Sequence, residues 1–385
     1  MKIKSIECLQ ARPTPKATSK VRRPAWVANA EVANPMSKFE EFKRYRSSWL
    51  PAWPGFWVKV TAEDGTFGLG PCSFGCATAV IIQDHFAKLL VGQDALAIEK
   101  LWDLMFRMSK PYGTVGLASS AISGVDLALW DLAGKLQGKP VWQLLGGKLR
   151  EKIFTYATGN DVDWYLECGF KAVKLACPYG PVDGVRGIDL NEQLVAQTRD
   201  QVGDEVEIML DCYMAFDVEY TVRLAERLRP YNLKWIEEYL IPEDLDGHVA
   251  VRERLPWQTL ATGEHMYTPW PFQWLIKRRA LDILQPDIHW VGGLTACRRI
   301  AEMADVAGLT VCLHGGAMSP YGTHLTIAMP NMPWGEYFVG TAPGVPLAEG
   351  HSYNGTFAPV DSYVYVSDEP GFGVDIPADQ LTPFG

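Results

Sequence analysis

The chain has no run of about 18 apolar residues, so no membrane-spanning helix is expected. Its start, Met1-Lys2-Ile3-Lys4-Ser5-Ile6-Glu7, carries charges inside the first apolar stretch, and no apolar run of 7–15 residues follows; a secretory signal peptide is not expected. Positive charge is scarce, with 36 Lys and Arg against 45 Asp and Glu and a net charge of −9. Such a chain offers no basic footprint to nucleic acid and no attraction to anionic membranes. The eight cysteines include no Cys-x-x-Cys pair, and the close pair Cys72 and Cys76 lacks His or Cys partners for zinc. They read as small apolar side chains in a reduced cytoplasm. No short-period repeat points to a solenoid. Hydrophobic residues make up 48% and charged residues 21% of the 385, a globular balance that excludes a disordered or fibrous protein. An anionic substrate would need that −9 overcome locally, by a metal ion or by placed cations.

The first ~115 residues mix strands and helices. Ile3 to Leu9 alternates apolar and polar. Phe56 to Ala62 does the same and leads through Glu63-Asp64-Gly65 into Thr66–Gly70, a hairpin signal. Arg22 to Trp53 has no clean period but holds Trp26, Phe39, Phe42, Tyr45 and Trp49, which suits a long ordered loop. Ala118 to Leu132 is small or apolar nearly all round, the mark of a buried helix. From Ala172 onward short apolar runs alternate with amphipathic stretches such as Val218–Leu228 and Leu294–Ala307, which implies parallel β/α units. Ser362 to Val366 reads as a strand returning to the N-terminal domain.

Ionisable residues recur at the ends of the middle runs: Asp211, Glu237, Glu264, Asp287 and His314, spaced 26, 27, 23 and 27 residues apart. One unit of a β/α barrel takes about 30 residues, and the carboxyl ends of its strands all open into one mouth, where barrel enzymes keep their sites. Asp211, Glu237 and Glu264 on consecutive strands would repel one another strongly without a cation. Oxygen-only ligation with open positions suits Mg²⁺ better than zinc or a softer metal. Taken singly, each acid could equally cap the next helix; three in phase favour metal binding. Asp287 and His314 fall on neighbouring strands, and a carboxylate on one ring nitrogen fixes the tautomer and raises the basicity of the other, as a general base requires. Of seven histidines (85, 248, 265, 289, 314, 324 and 351), His265 and His314 adjoin these positions, and His265 is expected to contact substrate.

Val125-Asp126-Leu127-Ala128-Leu129-Trp130-Asp131-Leu132-Ala133-Gly134-Lys135, Gly138-Lys139-Pro140-Val141 and Leu144-Leu145-Gly146-Gly147 resemble the segment that opens the barrel of the enolase superfamily, mandelate racemase subgroup. Leu210-Asp211-Cys212-Tyr213, Trp235-Ile236-Glu237-Glu238, Gly263-Glu264-His265, Gln285-Pro286-Asp287 and His314-Gly315 are similar to its acid-sugar dehydratases, the L-rhamnonate dehydratase group above all. Pro35-Met36-Ser37-Lys38 and Pro370-Gly371-Phe372-Gly373-Val374 extend the resemblance over nearly the whole chain. It implies an α/β fold, a modified TIM (β/α)7β barrel with an α+β capping domain. Residues 1–120 would form the capping domain, 121–340 the barrel, and 341–385 a segment returning to the cap. It further implies that Asp211, Glu237 and Glu264 hold Mg²⁺, and that the ion binds the carboxylate of a small-molecule sugar acid. His314, oriented by Asp287, would remove the α proton; loss of the β-hydroxyl would give a 2-keto-3-deoxy acid. Arg46 and Lys174 are implied substrate contacts; Glu336 would bond the substrate or the enediolate, or else serve in a structural ion pair. A cytoplasmic homo-oligomer, an octamer among its forms, is also implied, with no nucleic-acid or membrane partner.

Two departures sharpen this. Many subgroup members carry Lys-x-Lys at the end of the second barrel strand, whereas Lys174-Leu175-Ala176 stands here, which counts against a two-base racemase and fits a single-base syn elimination by His314. The rhamnonate enzymes have a histidine early in the capping loop; here none precedes His85, leaving Trp26 or Asn29 to fill that role. L-lyxonate and L-mannonate are alternative substrates, since such differences are worth only about 1–3 kcal/mol in an apolar pocket. A racemase or cycloisomerase of the same superfamily is a rival reading. A metal-dependent hydrolase would want a His-x-His pair, absent here. A non-catalytic protein would not need five phased groups.

Overall fold

In the computed structural model, which describes residues 1–12, 19–29, 31–350, 353 and 355–385, the strands fall into two sheets. β1 (Ile3–Ala11), β2 (Phe56–Ala62) and β3 (Phe67–Cys72) form an antiparallel cap sheet. The β2–β3 hairpin turns at Gly65, φ 92°, where Asp64 Oδ1 accepts the Thr66 N–H at 2.9 Å. Eight parallel strands follow: β4 (Ile153–Thr158), β5 (Ala172–Ala176), β6 (Glu207–Asp211), β7 (Trp235–Glu237), β8 (Leu260–Thr262), β9 (Ile283–Leu284), β10 (Thr310–Val311) and β11 (Trp334–Phe338). Helices occupy each of the seven intervals between them, so the expected (β/α)7β barrel is present. β10 and β11 share no ladder; the Ala317 N–H to Glu336 carbonyl bond, 2.8 Å, helps bridge that gap. β12 (Tyr363–Val364) lies antiparallel on the lower end of β4, and β13 (Leu381–Pro383) pairs with β1. The strand expected to return to the cap thus joins the barrel sheet, and a later one makes the return. No helix among the described residues is long and apolar enough to cross a membrane.

Side-chain alternation builds the barrel interior in layers. Tyr156, Ala172, Met209, Trp235, Ala261, Ile283 and Cys312 form a closed apolar plug, with Phe154 and Trp334 against it. Two residues further along the same strands stand Thr158, Lys174, Asp211, Glu237, Gln285, His314 and Glu336, a polar layer above the plug.

The helix Leu117–Gln137 bolts cap to barrel, being buried from Ala118 to Gly134. On one side it meets β3 so closely that a Cβ on Gly70 would lie 2.2 Å from the Gly124 carbonyl. On the other, Asp126 accepts both the backbone N–H (3.0 Å) and hydroxyl (2.6 Å) of Thr295 on the barrel helix Gly293–Val306. Asp131 accepts the Leu69 N–H at 2.8 Å and the Phe372 N–H at 2.9 Å, joining the tail to the cap. The boundary expected between residues 120 and 121 falls inside this helix. The segment read as a long loop is ordered by three short 3-10 turns, Trp26–Asn29, Glu40–Phe42 and Arg46–Ser48. It docks on the barrel mouth through the Ala33 N–H to Cys177 carbonyl bond, 2.8 Å, and the Lys43–Asp183 ion pair, 2.7 Å.

Candidate active site

The polar layer becomes a site because short strands end there. β10 stops at Val311, and Cys312-Leu313 carries the chain to His314, whose Nδ1 lies 2.7 Å from Asp287 Oδ2. Nδ1–H donates to Asp287, and on the other side of the ring Nε2 faces Glu264 Oε1 at 3.2 Å. Burial opposes charge on His314, but Glu264, Asp287 and Glu336 outweigh it and hold the imidazole protonated well above its ordinary range. Asp287 is driven the other way: burial would raise its carboxyl, yet hydrogen bonds from His289 and His314 leave it strongly acidic.

A second histidine–carboxylate pair lies across the Trp290 ring. Both oxygens of Glu238 are 3.0 Å from His265 Nδ1, and Trp290 stands 5.6 Å from the His265 ring and 5.4 Å from that of His314. Burial would lower His265, but Glu238 and Glu264 raise it to about 9. Glu238 reaches this position because its backbone turns left-handed, φ 49°, immediately after β7. Among the described residues, Glu238, Glu264 and His265 are the group of three whose ligand atoms come within metal-binding range of one another.

Glu237 points the other way, toward the barrel axis. Lys174 Nζ donates to its Oε1, while Trp235 Nε1 and Gln285 Nε2 both donate to Oε2 at 2.7 Å. Lys174 is buried and also pairs with Glu336 at 2.7 Å and Asp211 at 3.8 Å. Burial disfavours its charge, but Glu237, Glu336 and Asp211 more than compensate. Burial pushes Asp211 up to about 6, against Lys174 and with Glu264 and Glu238 adding to the rise. Glu237 is pushed up by burial to about 7, with Lys174 opposing. Asp211, Glu237 and Glu336 therefore crowd around Lys174, while Glu238, Glu264 and Asp287 face the two histidines. A hard cation with oxygen ligands suits this donor set and would relieve the crowding.

The remaining expected contacts divide. Arg46 lies 4.0 Å above the Tyr213 ring, and Tyr213 lies 5.4 Å from His265, so the cap cation sits at the mouth. Trp26 packs against the cluster of Val32, Ala176 and Tyr213. Glu336 is buried and engaged by Thr158 Oγ1 (2.6 Å), the Gly315 N–H (2.9 Å) and Lys174, as an ion-pair hub beneath His314. The Asn29 side chain and His351 lie outside the described residues. Glu238, Gln285, Tyr213 and Trp290 stand in the site although sequence reasoning gave them no role. For Glu238 the signal was its place directly after a strand-end acid.

Comparison with known proteins follows the same lines. Residues 55–146 match the family described as mandelate racemase / muconate lactonizing enzyme, N-terminal domain, and residues 160–380 match the enolase C-terminal domain-like family. The chain is 38% identical over 354 residues to the L-rhamnonate dehydratase of Saccharopolyspora erythraea, covering 91% of this chain and 90% of that protein. It superposes on the crystal structure of L-rhamnonate dehydratase from Gibberella zeae with a TM-score of 0.91 at 34% identity, covering 99% of this chain and 96% of that one. A crystal structure of rhamnonate dehydratase from the same organism complexed with Mg gives 0.90 at 34% identity, with the same coverage. The 3,6-anhydro-D-galactonate cycloisomerase from Zobellia galactanivorans follows at 0.78 and 27%, covering 99% of this chain and 98% of that one.

Proposed function

This chain belongs to the mandelate racemase / muconate lactonizing enzyme family of the enolase superfamily, and from that premise we propose that it is a Mg²⁺-dependent acid-sugar dehydratase acting on L-rhamnonate. One observation carries the reading: the His314–Asp287 pair opens onto a carboxylate cluster, while Ala176 stands where a second base would.

Asp211, Glu237 and Glu264 would hold the ion. Glu237 stays in this set because a carboxylate has about four acceptor positions and its three donors leave one free. Mg²⁺ supplies electrostatic stabilisation of the charge that develops on the substrate carboxylate as the α proton leaves. Arg46 and His265 orient the sugar acid from the cap and barrel sides. With Glu264 committed to the ion, its hold on the imidazole proton would be weakened, and His314 Nε2 would then be free to take the α proton, with Asp287 holding the ring and steadying its charge. The imidazolium then returns that proton to the departing β-hydroxyl, which leaves as water. The enol that remains tautomerises to the 2-keto-3-deoxy acid. Lys174, buried in its ion pairs, is held from acting as a second base, which favours elimination over racemisation. Eight free cysteines suit a reducing cytoplasm, and a homo-oligomer completes the proposal. Size-exclusion chromatography with light scattering checks the assembly.

Purified protein with Mg²⁺ is incubated with L-rhamnonate, L-lyxonate and L-mannonate, and 2-keto-3-deoxy product is measured. Turnover of L-rhamnonate fastest, and none in His314→Ala, is expected. No product from any 2,3-dihydroxy acid, or full activity in His314→Ala, would sink the mechanism.

A further inference from the structure

We propose that Asp161 and Arg23 form a latch that fixes the capping segment over the barrel mouth, acting as positioning residues that set affinity for the sugar acid. The inference rests on the dehydratase reading for its substrate, but the latch itself can be tested without turnover.

Asp161 follows β4 and precedes the short helix Val162–Glu167, whose first turn it closes by accepting the Tyr165 N–H on its carbonyl at 3.1 Å. Its side chain is only 5% exposed, yet it is spent on another part of the fold. Oδ1 accepts the Arg23 guanidinium and Oδ2 accepts the Trp26 backbone N–H at 2.7 Å. Arg23 also reaches Asp163 at 2.6 Å, so one guanidinium spans two carboxylates at the start of the same helix. A buried, charge-assisted carboxylate holding two points three residues apart fixes the chain's direction as well as its distance.

What this direction places is the Trp26 indole. It packs against the cluster of Val32, Ala176 and Tyr213 and meets Phe338 edge-on at 6.3 Å. It also lies so close to Gly159 at the end of β4 that a Cβ there would fall 2.1 Å from Trp26 Nε1. Trp26 thereby roofs the mouth on the Ala176 side, and Tyr213, under Arg46, continues that wall. Among the described residues the latch bonds join Arg23, Asp161, Asp163 and Trp26, whereas His314 is held by Asp287 and Glu264, so loss of the latch should loosen the roof and spare the proton transfer.

Hydrogen exchange and steady-state kinetics on the full-length protein test this with Arg23→Gln, Asp161→Ala and the double variant. Arg23 is 41% exposed, so its replacement does not put folding at risk. The amides of residues 22–27 should exchange about tenfold faster or more in either variant, with barrel strands unchanged. KM for L-rhamnonate should rise about tenfold or more while kcat stays within about threefold, and the double variant should be no worse than Asp161→Ala alone. Wild-type protection of residues 22–27 in a folded Asp161→Ala overturns the latch, as does a fall in kcat at unchanged KM. If the wild type turns over no aldonate, the dehydratase reading fails and the exchange result alone decides the latch.

Discussion

Asp287 serves two histidines at once: its Oδ2 takes His314 Nδ1, and its Oδ1 takes the His289 N–H at 2.6 Å. An amide there would set N–H against N–H or force the other imidazole tautomer, so Asp287→Asn should lower kcat on the order of 10²–10⁴-fold with little change in KM. Single-turnover kinetics at saturating substrate would check this. Glu237 and Glu238, adjacent in sequence, face different partners, which calorimetric Mg²⁺ titration can separate. Glu237→Gln should weaken the ion on the order of tenfold or more, since a ligand charge is lost. Glu238→Gln should leave Mg²⁺ binding nearly intact while releasing His265; equal losses in both would reassign the ligand set. Asp211, Glu264, Asp287 and His314 were legible because strand phasing alone delivers them to the mouth. Glu238 was not, because its direction depends on a left-handed backbone residue that no periodicity announces.

The helix Leu117–Gln137 shows how elements meet without slack. A Cβ at Gly70 would meet backbone atoms, the Gly124 carbonyl at 2.2 Å and the Ala128 nitrogen at 2.7 Å, none of which can rotate aside. Gly70→Ala should therefore destabilise the protein by about 1–3 kcal/mol or more through overpacking, read as a lower Tm. The helix was legible in the sequence because small and apolar residues cover its whole circumference, the requirement of an element buried on all sides. The tail was less so. Tyr363-Val364 has too few residues in register to say which edge it joins, and Leu381–Pro383 is too short and polar to read as a strand at all.

At the scale of the whole molecule, two buried histidines make the fold sensitive to acid. His248 is fully buried against Tyr239, and burial lowers it to about 4; His324, equally buried, is lowered to about 3. Both are neutral when folded, whereas the unfolded chain binds protons near pH 6.5. Their stabilising contribution is complete above about 6.5 and is lost as pH falls toward 4 for His248 and 3 for His324, at up to about 1.4 kcal/mol per pH unit for each. Thermal melts from pH 7 to 4 should show a falling Tm, with a shallower fall in His248→Phe; an unchanged slope would refute the assignment.

β1 pairs Leu9 with Pro383, so one of the first strands made is matched to one of the last. At about 5–20 residues per second, a ribosome needs roughly 20–75 s to supply that partner. Until then the outer edge of β1 is an open row of backbone donors and acceptors, able to recruit a strand from another chain. Completion of the sheet thus waits on Leu381–Pro383, and a nascent chain stalled before Leu381 would carry an adhesive, unzipped border along β1.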